Sequence, residues 1–187
     1  MASAFLSPST QEYNIFVTGN SEEYYANLIT DAMIPYLRAS GISFGRNDPD
    51  GTVSTSIAMS NAGSYDLHLA IHSNAAPENL SGMIKGPDVY YYRDSSSGKR
   101  AAEIFANNLK LIYPDPSLVS VVPTTTLAEL RRTKAPAVLV EVAYHDNYED
   151  ATWIITNIEK IAQNLALSVA DFLGVPFLRK VYLYFLR

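Results

Sequence analysis

The chain has 187 residues, the size of one globular domain with a sizeable core, and 48% of them are hydrophobic while 18% are charged. Its net charge of -5 and its pI near 5.1 argue against a nucleic-acid-binding protein, because a phosphate backbone needs a concentrated basic face. There is no cysteine, so a disulfide framework, a thiolate metal site and a cysteine nucleophile are all excluded.

The first part of the chain alternates predicted strands and helices. Pro8 lies in the polar stretch after the first apolar segment and disfavours continuation of a central strand. Ser21 is a typical helix N-cap, and Gly41 is a typical residue to end that helix. The pattern predicts, in chain order, a strand at 2–6, a helix at 21–40, a strand at 42–46 and a helix at 52–62.

A strand with a period of two follows, in which Leu67, Leu69 and Ile71 alternate with more polar or smaller residues. The rest of the pattern predicts strands at 65–72 and 88–93, a helix at 99–112, a strand at 118–122, a partly looped segment at 124–134, a strand at 137–142, and a helical stretch at 148–173 that breaks near 156–157. These elements predict an α/β fold of three layers: a twisted, mostly parallel or mixed sheet of about six strands with helices on both faces. Residues 1–176 form one expected domain, and residues 177–187 are a tail of unknown role.

Two positions at predicted strand ends carry chemistry. His72 ends the apolar alternation and precedes a loop, and ligands bind at the carboxyl ends of strands in open α/β sheets. His68 shares its face, but four residues of strand place it roughly 13 Å away, so His68 is interpreted as structural. Glu141 interrupts an otherwise apolar strand, and a buried carboxylate there needs a cation, a proton or an opening to a cleft.

Several ordered motifs resemble the zinc-dependent N-acetylmuramoyl-L-alanine amidases of bacterial cell-wall turnover. The resemblance covers residues 2–174 approximately. The motifs are E-x-x-x-N at 23–27, S-N-x-x-x-x-x-D at 60–66, I-H-S-N-A at 71–75, and P-A-V-L-V-E followed by N-x-x-D within 136–150. Several motifs in the same order are more specific than any one of them.

The resemblance implies roles for three residues. Glu23 and His72 are expected to bind zinc, and Glu141 is expected to be the catalytic carboxylate. Glu22, beside Glu23 at the helix start, is interpreted as a charge that favours the helix dipole. Asn74, His145 and Arg131 are further candidates for substrate binding, with His145 expected in the wall of the cleft.

The chain departs from the family at the first metal ligand. The family usually has Asp-Pro-Gly-His after the first strand, whereas this chain has Ser-Pro-Ser-Thr-Gln at 7–11. Three solutions are open: Gln11 supplies an amide oxygen, Glu12 or His145 replaces the histidine, or fewer protein ligands and water hold the ion. The first is favoured, because the loop already places Gln11 there. An amide oxygen is a poorer zinc ligand than imidazole, so we expect weaker zinc binding.

The expected activity is hydrolysis of the amide bond between N-acetylmuramic acid and L-alanine, with peptidoglycan as partner. The alternative is a peptidoglycan-binding or regulatory pseudoenzyme that has lost its metal. No apolar run approaches the roughly 20 residues of a membrane span, and no signal-peptide pattern is visible at the N-terminus. The resemblance implies an autolysin or endolysin that acts in the cell wall or outside the cell, with phage lysis or mother-cell release as routes to it. The sequence does not indicate an oligomeric state.

Overall fold

The computed structural model describes residues 2–179 and contains one six-stranded sheet. The strands are β1 (Ser3–Pro8), β2 (Ser43–Arg46), β3 (Leu67–Asn74), β4 (Asp88–Tyr92), β5 (Ser120–Thr124) and β6 (Ala137–Tyr144). Their order is β2-β1-β3-β6-β4-β5, and all neighbours are parallel except β4 and β6, which are antiparallel. The predicted mixed α/β sheet is confirmed.

Helices cover both faces of the sheet. They are α1 (Glu22–Ala39), α2 (Val53–Ala62), α3 (Ser96–Leu109), α4 (Ala128–Arg132), α5 (Tyr148–Thr156) and α6 (Ile158–Leu173). Within residues 2–179, no helix is both long and apolar enough to cross a bilayer. The predicted break in the last helical stretch is confirmed, because α5 ends at Thr156 and α6 begins at Ile158. Gly174 ends α6 in the left-handed conformation, with φ at 69°.

Residue alternation divides the two central strands between two cores. Leu69 and Ile71 of β3 and Val140 of β6 belong to the large core, which also contains buried residues of α1, α3 and α6. Ala70 and Leu139 point to the opposite face and pack with Leu130 of α4 in a smaller core. Because side chains alternate along a strand, His68, His72 and Glu141 are directed to this second face.

Several predicted boundaries differ from the structure by two or three residues, for example the helix predicted at 99–112, which is α3 (Ser96–Leu109), and two differences have a physical reason. β1 continues to Pro8, because a proline at the last position of a strand gives up little by lacking an N–H. The segment predicted as partly looped contains the end of β5 and the short helix α4. Leu130 turns into the smaller core from that helix, which gives this polar segment a buried anchor. Of the tail, residues 180–187 lie outside the described part of the chain.

Candidate active site

The site lies at the carboxyl ends of β1, β3 and β6, as expected for this class of sheet. His72 of β3 lies opposite Glu141 of β6 in the strand register, and Asp88 of β4 lies opposite Glu141 on its other side. The register of β3 and β6 shifts between His72 and Asn74, which marks the point where the pairing becomes irregular. Strand pairing therefore fixes an imidazole and two carboxyl groups side by side.

The start of α1 brings a carboxylate to His72. Ser21 caps the helix by accepting a hydrogen bond from the backbone N–H of Tyr24, so Glu22 is the first helical residue. Oε1 of Glu22 lies 2.8 Å from Nδ1 of His72, and both side chains are buried. Burial raises the pKa of Glu22, but the hydrogen bond and charge of His72 and the hydrogen bonds of Asn14 and Ser9 outweigh it, so the net pKa is lowered.

Glu23, predicted to bind zinc together with His72, contacts Asn27 in the structure, and its role as a ligand stays a prediction. Asn27 donates a 2.6 Å hydrogen bond from Nδ2 to Oε1 of Glu23, one turn along the same helix. Consecutive helical residues point about 100° apart, so only one of the two glutamates can face the end of the sheet. The residue that does so is Glu22. Glu23 and Asn27 of the sequence motif thus form a hydrogen-bonded pair within α1. Glu22, interpreted from the sequence as a charge favouring the helix dipole, is the residue that contacts His72.

The loop between β1 and α1 supplies two amides at the same point. Nε2 of Gln11 lies 3.4 Å from Nδ1 of His72 and 3.5 Å from Oε1 of Glu22. Asn14 donates from Nδ2 to Oε2 of Glu22 at 2.6 Å and to Oε1 of Gln11 at 3.0 Å. The structure therefore places Gln11 beside His72, and both Gln11 and its neighbour Glu12 are exposed in this loop. Sequence reasoning did not identify Asn14.

A second buried carboxylate, Glu129 of α4, faces the other edge of His72. Its Oε2 lies 3.4 Å from Nε2 of His72, and its Oε1 lies 3.1 Å from Nε2 of His68. The hydroxyl of Ser7 donates to Oε1 as well. Burial raises the pKa of Glu129, but hydrogen bonds and charges of the two histidines hold it well below the usual range. Sequence reasoning missed Glu129.

His72 consequently lies between two carboxylates, one at each ring nitrogen. Burial lowers the pKa of its imidazole, but the hydrogen bonds to Glu129 and Glu22 and the charges of Glu141 and Glu22 outweigh burial and raise it well above its ordinary value. Each ring nitrogen of His72 therefore faces a carboxylate oxygen, an arrangement that favours the protonated ring.

Glu141 has the environment of a proton-transfer group. Its Oε2 is shielded from solvent and has no hydrogen-bond partner among the residues that the structure describes. Burial is the main cause that raises its pKa to about 7; the charge of His72 opposes this, and those of Glu22 and Asp88 add to it. The side chain lines a cavity of about 160 Å³, together with Gln11, His72, Glu129 and apolar residues of α2, α4 and β6.

The neighbouring carboxyl group, Asp88, is held by two hydrogen bonds. Nδ2 of Asn74 donates to its Oδ2 at 3.2 Å, and the hydroxyl of Tyr144 donates to the same oxygen at 3.0 Å. Burial raises the pKa of Asp88, and the two hydrogen bonds only partly offset that effect. Asn74, predicted to bind substrate, thus has a structural contact in the site, and its substrate contact stays a prediction.

The connection between β3 and β4, residues 75–87, is fastened to the loop after β6. Backbone N–H groups of Ala76 and Gly82 donate to the carboxylate of Asp146 at 3.2 and 3.1 Å. The N–H of Gly86 donates to Oδ2 of Asp150 at 2.8 Å. Two aspartates therefore hold this long connection over the edge of the site.

Two other predicted residues lie outside the cluster around His72. Nδ1 of His145 contacts the carbonyl oxygen of Ser73 at 2.9 Å and its hydroxyl at 3.0 Å, and the ring stacks on Phe16. His145 therefore supports the loops that frame the site. Arg131 is exposed on α4, two residues after Glu129. Substrate contacts of both residues stay predictions.

Two groups at Nδ1 of His72 are of the types that bind divalent cations, namely the imidazole nitrogen itself and the carboxylate of Glu22. Gln11 presents its amide nitrogen to them, because Nε2 faces His72 and Glu22 while Oε1 accepts a hydrogen bond from Asn14. The predicted ligand atom, the amide oxygen, would reach the same point only after the side chain of Gln11 rotates. No group of three or more His, Asp or Glu side chains within 2–179 is arranged as a metal site. The donors as they stand therefore fit a cation with two protein ligands, and Gln11 as a third ligand stays a prediction.

Comparison with known proteins identifies the family. The model of the family described as "Amidase_3: N-acetylmuramoyl-L-alanine amidase" matches residues 11–171, which is most of the chain. No curated protein gives a significant match.

Several solved structures have a similar fold at low sequence identity. The N-acetylmuramoyl-L-alanine amidase AmiC2 of Nostoc punctiforme is 17% identical, with a TM-score of 0.80 over 92% of this chain and 97% of that one. The catalytic domain of the amidase CwlV from Bacillus (Paenibacillus) polymyxa is 18% identical, with a TM-score of 0.80 over 94% and 100%. An amidase from Clostridium difficile 630 is 18% identical, with a TM-score of 0.79 over 92% and 97%. On the family match, this chain belongs to the Amidase_3 family of N-acetylmuramoyl-L-alanine amidases.

Proposed function

We propose that the chain is a metal-dependent peptidoglycan amidase that hydrolyses the bond between N-acetylmuramic acid and L-alanine. Family membership supports the amidase class. The observation that carries the proposal is Glu141, a carboxyl group with a pKa raised to about 7 and an unpartnered oxygen, beside His72 in a cavity. General acid–base catalysis works best when the pKa of the group lies near the working pH.

The proposed cofactor is zinc, held by Glu22, His72 and Gln11. When bound, zinc supplies a lowered pKa of water, to about 7, and polarisation of the scissile carbonyl. For an ion to enter, the 2.8 Å hydrogen bond between Glu22 and His72 must open, and Nδ1 of His72 must lose its proton. Asn14 keeps its hydrogen bond to the second oxygen of Glu22, which orients that carboxylate for binding.

Glu141 moves the proton in the proposed reaction. Its carboxylate accepts a proton from the attacking water and then donates that proton to the nitrogen of the departing L-alanine. Asp88, on the neighbouring strand, keeps a second negative charge close and helps to hold the pKa of Glu141 high. The apolar wall of the cavity, formed by residues such as Val53, Leu127 and Leu139, limits the water around this transfer.

Mass spectrometry of digested cell walls tests the proposed function. Purified peptidoglycan is incubated with zinc-loaded protein, and soluble products are separated from the glycan strands. We expect free stem peptides that begin with L-alanine and glycan strands with unsubstituted lactyl groups. Cleavage within the peptide would indicate another hydrolase, and sedimentation with the wall without any product would indicate the pseudoenzyme.

Replacing Gln11 by histidine, the residue usual in the family at the first metal ligand, tests the metal site. In Gln11→His, an imidazole replaces an amide as the third donor, so we expect zinc affinity to increase by about tenfold or more, because imidazole is the better zinc ligand. Isothermal titration with zinc on chelator-treated protein measures this. Gln163→His, a change on α6 far from the site, is the matched control. Equal affinity of Gln11→His and the starting protein would contradict a ligand at position 11.

A further inference from the structure

The proposed mechanism leaves one buried ionised group unexplained, namely Glu129. Its side chain is 5% exposed, although it carries a charge in a layer that also contains Leu130, Leu139 and Ala70. Burying a carboxylate is costly unless charged partners and hydrogen bonds offset that cost. Glutamate is almost never fully buried unless it is paired, so packing alone does not explain this residue.

Two side chains from other elements contact Oε1 of Glu129. Ser7 of β1 donates to it and His68 of β3 contacts it, while Ser60 of α2 in turn contacts Nδ1 of His68 at 2.9 Å. Ser7, His68 and Ser60 are all buried. The carboxylate is therefore held in one orientation, with Oε2 directed at Nε2 of His72.

The two edges of the His72 ring have different neighbours. Nδ1 faces Glu22 and Gln11, the proposed metal ligands, and Nε2 faces Glu129. A histidine that binds a metal through one nitrogen carries its proton on the other, and the acceptor of that proton fixes both tautomer and ring orientation. A carboxylate is an acceptor only, so Glu129 holds a proton on Nε2.

We propose that Glu129 is a positioning residue that fixes His72 with Nδ1 directed at Glu22 and Gln11. His68, Ser60 and Ser7 hold the Glu129 carboxylate in place for this purpose. The proposal deepens the proposed function and rests on it in one respect, namely that Nδ1 of His72 binds the metal. The competing explanation is that Glu129 exists to pair His68, with its approach to His72 incidental.

Nitrogen NMR of the histidine rings tests the proposal without any activity measurement. The chain has three histidines, so ¹⁵N-histidine labelling gives three rings, which His68→Gln and His145→Gln assign. In metal-free protein we expect a carboxylate-bonded Nε2–H of His72. Glu129→Gln should shift Nε2 of His72 while Nδ1, bonded to Glu22, changes much less. Glu149→Gln, which removes an exposed carboxylate paired with Lys85, is the control and should change neither.

Zinc titration supplies the second readout. We expect zinc to shift Nδ1 of His72 in the starting protein, and Glu129→Gln to weaken zinc binding by about 10–100-fold, as loss of a hydrogen-bond partner of a ligating histidine does. A variant that changes only the His68 ring and keeps zinc affinity would overturn the proposal. If Glu129→Gln does not fold, the zinc titration of the starting protein is the test. A zinc-induced shift of Nε2 of His72 rather than of Nδ1 would also overturn the proposal. Intact ring signatures without peptidoglycan cleavage would refute the proposed function and leave this inference standing.

Discussion

Replacing Glu141 by glutamine is expected to reduce amidase turnover by about 10²–10⁴-fold, the range that a positioned acid–base group contributes. Glutamine keeps the size of the side chain but cannot accept the proton of water. Glu141 is outside the proposed ligand set, so zinc content should stay the same. Release of stem peptides from peptidoglycan measures turnover, and elemental analysis measures zinc.

The control for this prediction is Glu103→Gln. Glu103 is exposed on α3 and lies 3.8 Å from Lys99 in a surface ion pair, so its replacement should leave turnover unchanged. If Glu141→Gln retains full turnover, or if it loses zinc together with activity, then Glu141 is not the proton-transfer group.

Glu141 also predicts how kcat/KM changes with pH. The base is the ionised carboxylate, and burial raises the pKa of Glu141 to about 7, so kcat/KM should fall as pH decreases through that region. A bound divalent cation favours the ionised form, which moves this limb to pH 7 or below. Residual activity of Glu141→Gln should lack the limb. A kcat/KM that stays constant from pH 5 to 8 would argue against Glu141 as base.

The matched variants Glu22→Gln and Glu23→Gln are expected to differ strongly in zinc binding and amidase turnover. Glu22 contacts His72 at 2.8 Å, so its neutralisation removes a proposed ligand and should abolish zinc binding at micromolar protein and amidase turnover with it. Among the described residues, the side chain of Glu23 is hydrogen-bonded to Asn27 of its own helix, so its neutralisation should change zinc affinity less than about twofold. Both variants remove one negative charge from the same helix turn, so the effect on the helix dipole is shared.

Isothermal titration with zinc and the peptide-release assay decide between the two glutamates. Thermal unfolding of the metal-free proteins checks that both variants are folded. The reverse result, with Glu23→Gln inactive and Glu22→Gln normal, would show that the sequence motif and not the observed contact identifies the ligand.

The sheet and the strand-end residues were predictable because their signals are local. Alternation in β3 and an apolar run in β6 identify buried strands. A glutamate within that run is conspicuous because burying a carboxylate costs free energy. The choice between Glu22 and Glu23 was not predictable in this way. It depends on the angle at which α1 leaves its cap at Ser21, and a one-residue change rotates the carboxylate by about 100°.

Glu129 shows a different limit of sequence reasoning. Its segment has no clear period, and α4 is only five residues long, so no face could be assigned to it in advance. Its partners Ser7, His68 and His72 are 122, 61 and 57 residues away in sequence. Contacts between residues so far apart depend on the order of the strands in the sheet, and local sequence patterns do not predict that order.

The reversed direction of β4 decides which of its residues meets Glu141. Because β4 runs against β6, its first residue, Asp88, rather than its last lies opposite Glu141. The preceding stretch, residues 75–87, is pinned by side chains of Asp146 and Asp150 and adds no strand to the sheet. Insertions or deletions within that stretch are therefore expected to leave the hydrogen-bonded ladder beneath as it is.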